Sequence, residues 1–398
     1  MRRSAGDAGR EPKATVNDSE QAPTVIAIIL CPEIRPGMED DGARFREFAA
    51  RCGIRVEMLL APEGTTPRPD PDLRAEWLSI ISAPLKRAHE VLDFLWQRRS
   101  TEALVVAEAC AQKNRATSLV ALARFLELGI RGVPAASLIA PTEAVMPSKI
   151  QGDARTLPVR LLVEARVNGF PIVIEPARQL ALPPMPFPRL ADIPALWKSR
   201  NSFEAADYDR RAFDSRILPQ RIWQRARYRV IMDLFRKYAG DGPTVDIGCG
   251  SSVILPSLPR GAIGVDISGP KLRIQRAAGC VTVRADVRHL PFPDNWAMNV
   301  VCSEVIEHLR GTSGWLNEIR RVLRPGGLLI IGTPDYGRPL WRITEQIYRV
   351  VMPHGYADDH VSRYAAASLD AILREAQFRS LSRRYVFGAE LIAAYRSE

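Results

Sequence analysis

Three short apolar runs, TVDIG, AIGVDI and VTVRADV, each reach an aspartate, and these aspartates, Asp246, Asp266 and Asp286, stand twenty residues apart. A strand, a helix and two tight connections consume about that length, so the spacing predicts repeated strand–helix units in a parallel sheet. Each repeat then delivers a carboxylate to a strand end. The first aspartate runs into Ile247-Gly248-Cys249-Gly250-Ser251-Ser252, a tight turn expected to open a helix whose N–H groups point at a ligand. Glycines at 248 and 250 let that ligand approach the backbone. Further runs, MNVVCSEV, LLIIGTP, YVFG and ELIAAY, make five strands separated by helices and then two strands close together. The expected fold is α/β, a doubly wound sheet of seven strands ending in a hairpin, and the ending separates it from an ordinary dinucleotide domain.

The chain has 398 residues, more than one core usually holds, so two domains are expected. Between residues 24 and 180 strand-like runs (VIAIILC, VEMLLA, ALVVAEA) alternate with helical patterns at Arg44 to Cys52, Leu85 to Arg99 and Leu119 to Leu128. That alternation predicts a second α/β domain with a parallel sheet. The segment LPPMPFPRLADIP, Leu182 to Pro194, breaks the pattern, because proline at that density continues neither helix nor central strand. The expected organisation is a disordered tail over 1–23, an α/β domain over 24–180, a Pro-rich linker over 181–200 and the main domain over 201–398.

An apolar fraction of 46% and a charged fraction of 25% describe a globular protein. The longest apolar run, Val25 to Cys31, is strand-sized, so no membrane span is expected, and the polar first residues do not read as a signal peptide. Six cysteines without a C-x-x-C pair fit a reducing, cytoplasmic setting and argue against a zinc cluster. The net charge of +10 points toward anionic partners such as nucleic acid, nucleotide-sugars or lipid headgroups, although only seven of the 55 basic residues are lysine and a bias toward arginine explains it equally well. Pro219 to Tyr238 predicts an amphipathic helix with Ile222, Trp223, Ala226, Val230, Ile231, Leu234 and Phe235 on one side and Arg221, Arg225, Arg229 and Arg236 on the other. The arginines read as its solvated side. Oligomeric state is not legible.

Charge indicates which nucleotide the turn would hold. A dinucleotide site wants G-x-G-x-x-G and no nearby anion, whereas here Val253 takes the third glycine position and Asp246 stands just before the turn. A pyrophosphate would be repelled, while the cationic methionine end of S-adenosylmethionine would be matched. The stretches VDIGCGSS, GVDIS, ADVRHLPFPDN, VVCSEVIEHL and EIRRVLRPGGLLIIGTPD resemble the class I S-adenosylmethionine-dependent methyltransferases, in particular the type 11 or ubiquinone-methyltransferase-like group, over roughly Tyr208 to Glu398. The resemblance implies a Rossmann-like sheet, S-adenosyl-L-methionine as cofactor, and these positions around it: Asp246, Gly248 and Gly250 at the methionine part, Asp266 with Ile267 at the ribose, Asp286 and Val287 at the adenine, Ser303 and Glu304 at the reactive end. Ser251 and Ser252 depart from it, standing where many members carry a third glycine.

In Glu304-Val305-Ile306-Glu307-His308 the first and last residues are one helical turn apart, a spacing at which carboxylate and imidazole can share a metal. Some ubiquinone O-methyltransferases and small-RNA 3′-end methyltransferases resemble this chain in having E-x-x-E-H and a later histidine that hold a divalent cation. The resemblance makes Glu304, Glu307, His308 and His360 the candidate ligands. The alternative is that Glu307 and His308 cap and stiffen a helix. Methyl transfer needs an oriented acceptor and at most one base; His308 is the first candidate, with His360, Asp335 and His354 behind it. Tyr336, Trp341, Tyr348, Tyr356 and Tyr364 are expected to roof an acceptor pocket.

The first α/β domain resembles, in strand order and in the run RLLVEARVNGFPIVIEP, the GT-A domain of family 2 glycosyltransferases. A D-x-D would be needed there, and the strand ends Ala107-Glu108-Ala109, so a degenerate domain that binds a glycan or a partner is expected. Together these readings give a methyltransferase acting on a small molecule, a sugar or a glycolipid, by O-methylation. An RNA methyltransferase, a bifunctional glycosyltransferase/methyltransferase and a cofactor-sensing scaffold stand as alternatives.

Overall fold

The computed structural model describes residues 24–31, 38–62, 75–81, 87–108, 113–128, 130, 134–145, 156–177, 180, 182, 185, 187–202, 204–351 and 360–398. The tail expected at 1–23, and also Ala109, His354 and Tyr356, lie outside these residues.

The N-terminal unit carries strands β1 (Thr24–Cys31), β2 (Arg55–Pro62), β3 (Trp77–Ile81), β4 (Leu104–Glu108), β5 (Pro134–Pro141) and β6 (Ile172–Glu175). Helices α1 (Met38–Arg51), α2 (Ala88–Gln97), α3 (Lys113–Phe125) and α4 (Leu157–Val167) connect them, and α5 (Ile193–Arg200) follows. The sheet order is β2-β1-β3-β5-β4-β6. It is mixed rather than parallel, because β5 runs antiparallel to both β3 and β4. The strand PAASLIAP shows no local sign of its direction; direction is set by a connection, and the helical pattern read at Leu119 to Leu128 suggested a crossover. The Pro-rich stretch expected as a linker packs onto this unit instead, with Met185 and Leu196 in the same apolar core as Leu78 and Leu162.

Two helices, α6 (Tyr208–Phe213) and α7 (Leu218–Tyr238), lead into the second unit. It comprises β7 (Thr244–Ile247), β8 (Ile263–Asp266), α8 (Gly269–Ala277), β9 (Val281–Arg284), β10 (Ala297–Ser303), α9 (Ser313–Val322), β11 (Leu323–Pro334), α10 (Pro339–Val351), α11 (Ala366–Glu375), β12 (Phe378–Val386) and β13 (Glu390–Ser397). The seven strands lie in the order β12-β13-β11-β10-β7-β8-β9. All pairs are parallel except those of β13, which is antiparallel to both β11 and β12. The expected doubly wound sheet ending in a hairpin is present, though β12 starts seven residues before YVFG. Its exposed arginines and serines, RSLSRR, hide a strand that is half solvated.

Central strands read as continuous apolar runs because helices cover both faces: Val300, Val301, Leu329, Ile330 and Ile331 are fully buried. From β7 the chain winds outward through β8 and β9, then returns to place β10 on the other side of β7. The order reverses between β7 and β10. In an open α/β sheet that reversal splays the loops at the strands' carboxyl ends and leaves a crevice.

Candidate active site

The turn after β7 and the end of β10 lie side by side at this crevice. Gly248 has φ +65°, and a Cβ there would stand 2.1 Å from Val305 Cγ2. Gly250 has φ +51°, and a Cβ would stand 2.5 Å from Asp209 Oδ2. Both positions therefore need glycine, for backbone conformation and for space. No α-helix follows the turn; the chain forms only a 3₁₀ turn at Leu255–Ser257. Pro256 works against the expected helix, because a proline this far past the turn would leave its interior without a donor.

The turn is shaped by carboxylates. Asp266, the last residue of β8, accepts Gly250 N–H on Oδ2 at 2.8 Å and Ser268 N–H on Oδ1 at 2.7 Å. Each oxygen keeps a further lone pair. Asp286 lies two residues beyond β9 rather than on its end, and the Arg288 guanidinium and N–H hold its carboxyl down at about 2. Asp246 is buried behind the turn, where burial and then the neighbouring Asp266 push its carboxyl well above the usual range.

These elements enclose a cavity of about 710 Å³ lined by Gly248, Gly250, Asp266, Ile267, Asp286 and Val287, and also by Ser303, Glu304 and His308. Asp246 is not in its wall. Asp246 Oδ2, Ser303 Oγ and Glu304 Oε1 are buried without hydrogen-bond partners. The two of these that line the cavity, Ser303 and Glu304, suit a ligand that brings donor groups, since each orphaned oxygen would otherwise cost about 1–3 kcal/mol.

Several residues in this wall escaped the sequence reading. Tyr208, Asp209 and Phe213 come from α6, and Arg227 and Tyr228 from α7. Arg227 Nε and Nη2 grip Glu390 at 2.6 and 2.8 Å, and Nη2 also reaches Glu304 Oε2 at 3.0 Å. Trp223 Nε1 donates to Glu390 as well, at 2.6 Å. Burial pushes Glu304 well above its ordinary value, against the pull of Arg227. The remaining arginines of α7 behave as a solvated side, Arg225 pairing with Asp214 and Arg236 with Asp233.

The E-x-x-E-H stretch is not an α-helix. Glu304 has φ +58°, and only Ile306–His308 form a 3₁₀ turn. Glu304 is consequently turned toward Arg227 and away from the other candidate ligands. Glu307, His308 and His360 do converge, with one ligand atom of each lying within 4.8 Å of the others. Glu307 is fully buried, with burial raising it to about 8, and Thr333 Oγ1 donates to it at 3.3 Å. Tyr336 gives its one hydroxyl proton to Glu345 at 2.9 Å and lies 2.7 Å from His360 Nδ1.

Asp335 and the aromatic segment stand elsewhere. Asp335 is buried and accepts from Gly337 N–H, Ala366 N–H and Tyr385 OH, fastening β11 to α11 and β12. Tyr336 and Trp341 pack with Ala389 against Trp223, and Tyr364 is in the main core. None of the three lines the cavity, whose lining aromatics are Tyr208, Phe213 and Tyr228 instead. Aromatic content alone did not separate packing from pocket.

Residues 245–331 match the model of a family described as a methyltransferase domain. The C-terminal half carries a class I methyltransferase domain. A probable S-adenosylmethionine-dependent methyltransferase of Mycolicibacterium smegmatis is 32% identical over 127 residues, which are 30% of this chain and 48% of that protein. The mitochondrial arginine-hydroxylase NDUFAF5 of Danio rerio is 31% identical over 147 residues, 35% of this chain and 45% of that protein. The chain thus spans about half the length of these curated relatives. Among solved structures, an S-adenosylmethionine-dependent methyltransferase from Thermotoga maritima, described as a possible histamine N-methyltransferase, is 20% identical with a TM-score of 0.38, covering 47% of this chain and 98% of that one. Among the described residues no helix is long and apolar enough to cross a membrane.

Proposed function

We propose that this protein transfers the methyl group of S-adenosyl-L-methionine to a hydroxyl of a small molecule, a sugar or a glycolipid. One observation carries the reading: a single cavity is lined by the glycine turn and Asp266 together with Glu304 and His308. S-adenosylmethionine supplies a methyl group already activated as a sulfonium. The free lone pairs of Asp266 are suited to ribose hydroxyls, and the backbone at Gly248 and Gly250 admits the methionine part closely. Ser303 and Glu304 offer it buried oxygens, and Asp246 stands behind the turn. Asp286 and Val287 would flank the adenine.

An acceptor hydroxyl in the cavity would lie beside His308, which is half-buried and has one lone pair to use. Without a metal that lone pair takes the hydroxyl's proton; with one, Glu307, His308 and His360 would hold a divalent cation that would act as a Lewis acid on the hydroxyl instead. Asp335 is left to its fastening role. The N-terminal unit is read as a degenerate glycosyltransferase-like domain that presents the acceptor, supported by Glu108 standing where paired aspartates would be needed.

Calorimetric titration with S-adenosylmethionine tests the core of this reading. Wild type binds, and Asp266→Ala, which loses two charge-assisted hydrogen bonds worth about 1.5–3 kcal/mol each, binds at least about 100-fold more weakly. Absence of binding by wild type sinks the proposal. For the cation, methyl transfer is measured before and after chelation; full activity without metal makes the Glu307 cluster structural. Mass spectrometry of extract incubated with isotope-labelled cofactor identifies the acceptor, and a labelled oligonucleotide would move the reading to RNA.

A further inference from the structure

The cofactor cavity is not built by the methyltransferase domain alone. Val167 and Asn168, at the end of α4, and Glu204 lie in the same wall as Asp266 and Pro270. The turn that follows is pressed onto α8: a Cβ at Gly169 would stand 2.9 Å from Pro270 O. The Arg273 guanidinium lies 3.9 Å over the Phe170 ring and 3.4 Å from Glu143. Ala206 N–H donates to Val167 O at 2.8 Å, so the approach to α6 is fixed to the same turn.

Two aspartates at the start of α6 tie this arrangement together. Asp207 receives Arg200 in a two-pronged bond, 2.7 Å on each oxygen, with Arg211 at 3.1 Å and Arg166 at 3.3 Å. Arg200 is 1% exposed and also donates to Leu126 O and Glu127 O. One carboxylate thereby gathers α4, α5 and α6, and through Arg200 the end of α3. Two residues on, Asp209 Oδ2 accepts Ser251 N–H at 2.9 Å and Ser251 Oγ–H at 3.1 Å, and lies 3.4 Å from Lys271 Nζ. Consecutive amides of the glycine turn, Gly250 and Ser251, are therefore given to carboxylates from two different places. Asp266 is inside the sheet, and Asp209 comes from a helix anchored on the N-terminal unit.

We propose that the N-terminal unit is a structural part of the cofactor site, with Asp209 as a positioning residue that sets the glycine turn through Ser251 while the Val167–Asn168 wall closes the ribose end. This rests on the methyltransferase reading above. Cofactor affinity then depends on how the two units dock, and a perturbation at Arg273, outside the cavity, reaches the cofactor.

The test titrates S-adenosylhomocysteine, which is not consumed, into the full-length wild type, Asp209→Ala, Asp209→Asn and Arg273→Glu, with the melting temperature of each read without ligand. Asp209→Ala raises Kd about tenfold or more. Asp209→Asn, which keeps an oxygen for the Ser251 amide, recovers much of that loss, a rescue that a purely stabilising role would not produce. Arg273→Glu, repelled by Glu143, also weakens binding several-fold while the protein stays folded. If Asp209→Ala does not fold, Arg273→Glu carries the test alone. Wild-type affinity in both folded variants overturns the inference and leaves the methyltransferase reading standing; no binding by wild type overturns both.

Discussion

Gly248 shows how little freedom a residue at this site has. Its φ of +65° is one that side chains rarely adopt, and Val305 fills the space a Cβ would need. Gly248→Ala is expected to cost about 1–3 kcal/mol in urea unfolding, from backbone strain together with displacement of Val305. It also weakens cofactor binding, because Val305 adjoins Glu304. Such positions are legible in a sequence when the pattern is local: Asp266, Gly248 and Gly250 are spaced by a strand and a turn, and each sits in the cavity wall. Asp209 and Arg227 are different. Their partners, Ser251, Lys271, Glu304 and Glu390, lie 42 to 163 residues away, and no periodicity in α6 or α7 marks them. An arginine on the buried side of an amphipathic helix was the available signal, and the run of exposed arginines around it masked it.

Among the elements, α7 is held to the sheet by charge inside an otherwise apolar contact. Arg227 is the cation between Glu390 on β13 and Glu304 beyond β10, and removing one member of a buried group costs more than the group contributes. Arg227→Met is expected to lower stability by about 3–5 kcal/mol in denaturant titration. Adding Glu390→Gln to it should return more than half of the loss, since the stranded charge is then gone. The backbone at the end of β10 explains why Glu304 does not join Glu307, His308 and His360. The four-residue spacing places two side chains on one face only if the backbone is helical, and Glu304 is in the left-handed region. A strand that must stop short at a crevice turns sharply there, and that turn is set by the topology of the sheet.

For the molecule as a whole, the Asp207 cluster ties stability to a carboxylate that is protonated only in strong acid. Burial works to raise this carboxyl, and Arg200, Arg211 and Arg166 outweigh it, leaving it below its ordinary value of 3.8. A depressed carboxylate stabilises the fold fully above that value and loses its contribution as pH falls through the lower folded one. Asp207→Asn is therefore expected to be less stable by about 3–5 kcal/mol at neutral pH, with the difference from wild type shrinking below pH 3.8 in urea titrations across that range. The alternation of strands and helices made both α/β units legible, and the doubly wound order of the second followed from its closing pair of strands. The packing of the Pro-rich stretch and the antiparallel β5 did not follow, because both depend on contacts that no short window contains.

The place of β13 has a consequence for how the protein is made. The strand occupies residues 390–397, is hydrogen-bonded along both edges, and supplies Glu390 to Arg227. During synthesis, β7, β8 and β10 can pair while the ribosome is still translating, but β11 has no outer neighbour and Arg227 has no Glu390 until this segment emerges. A nascent chain stopped anywhere before it exposes an unpaired edge of apolar strand, the kind of surface on which chains associate. Chaperone demand should therefore fall on the interval between the synthesis of β11 and that of β13.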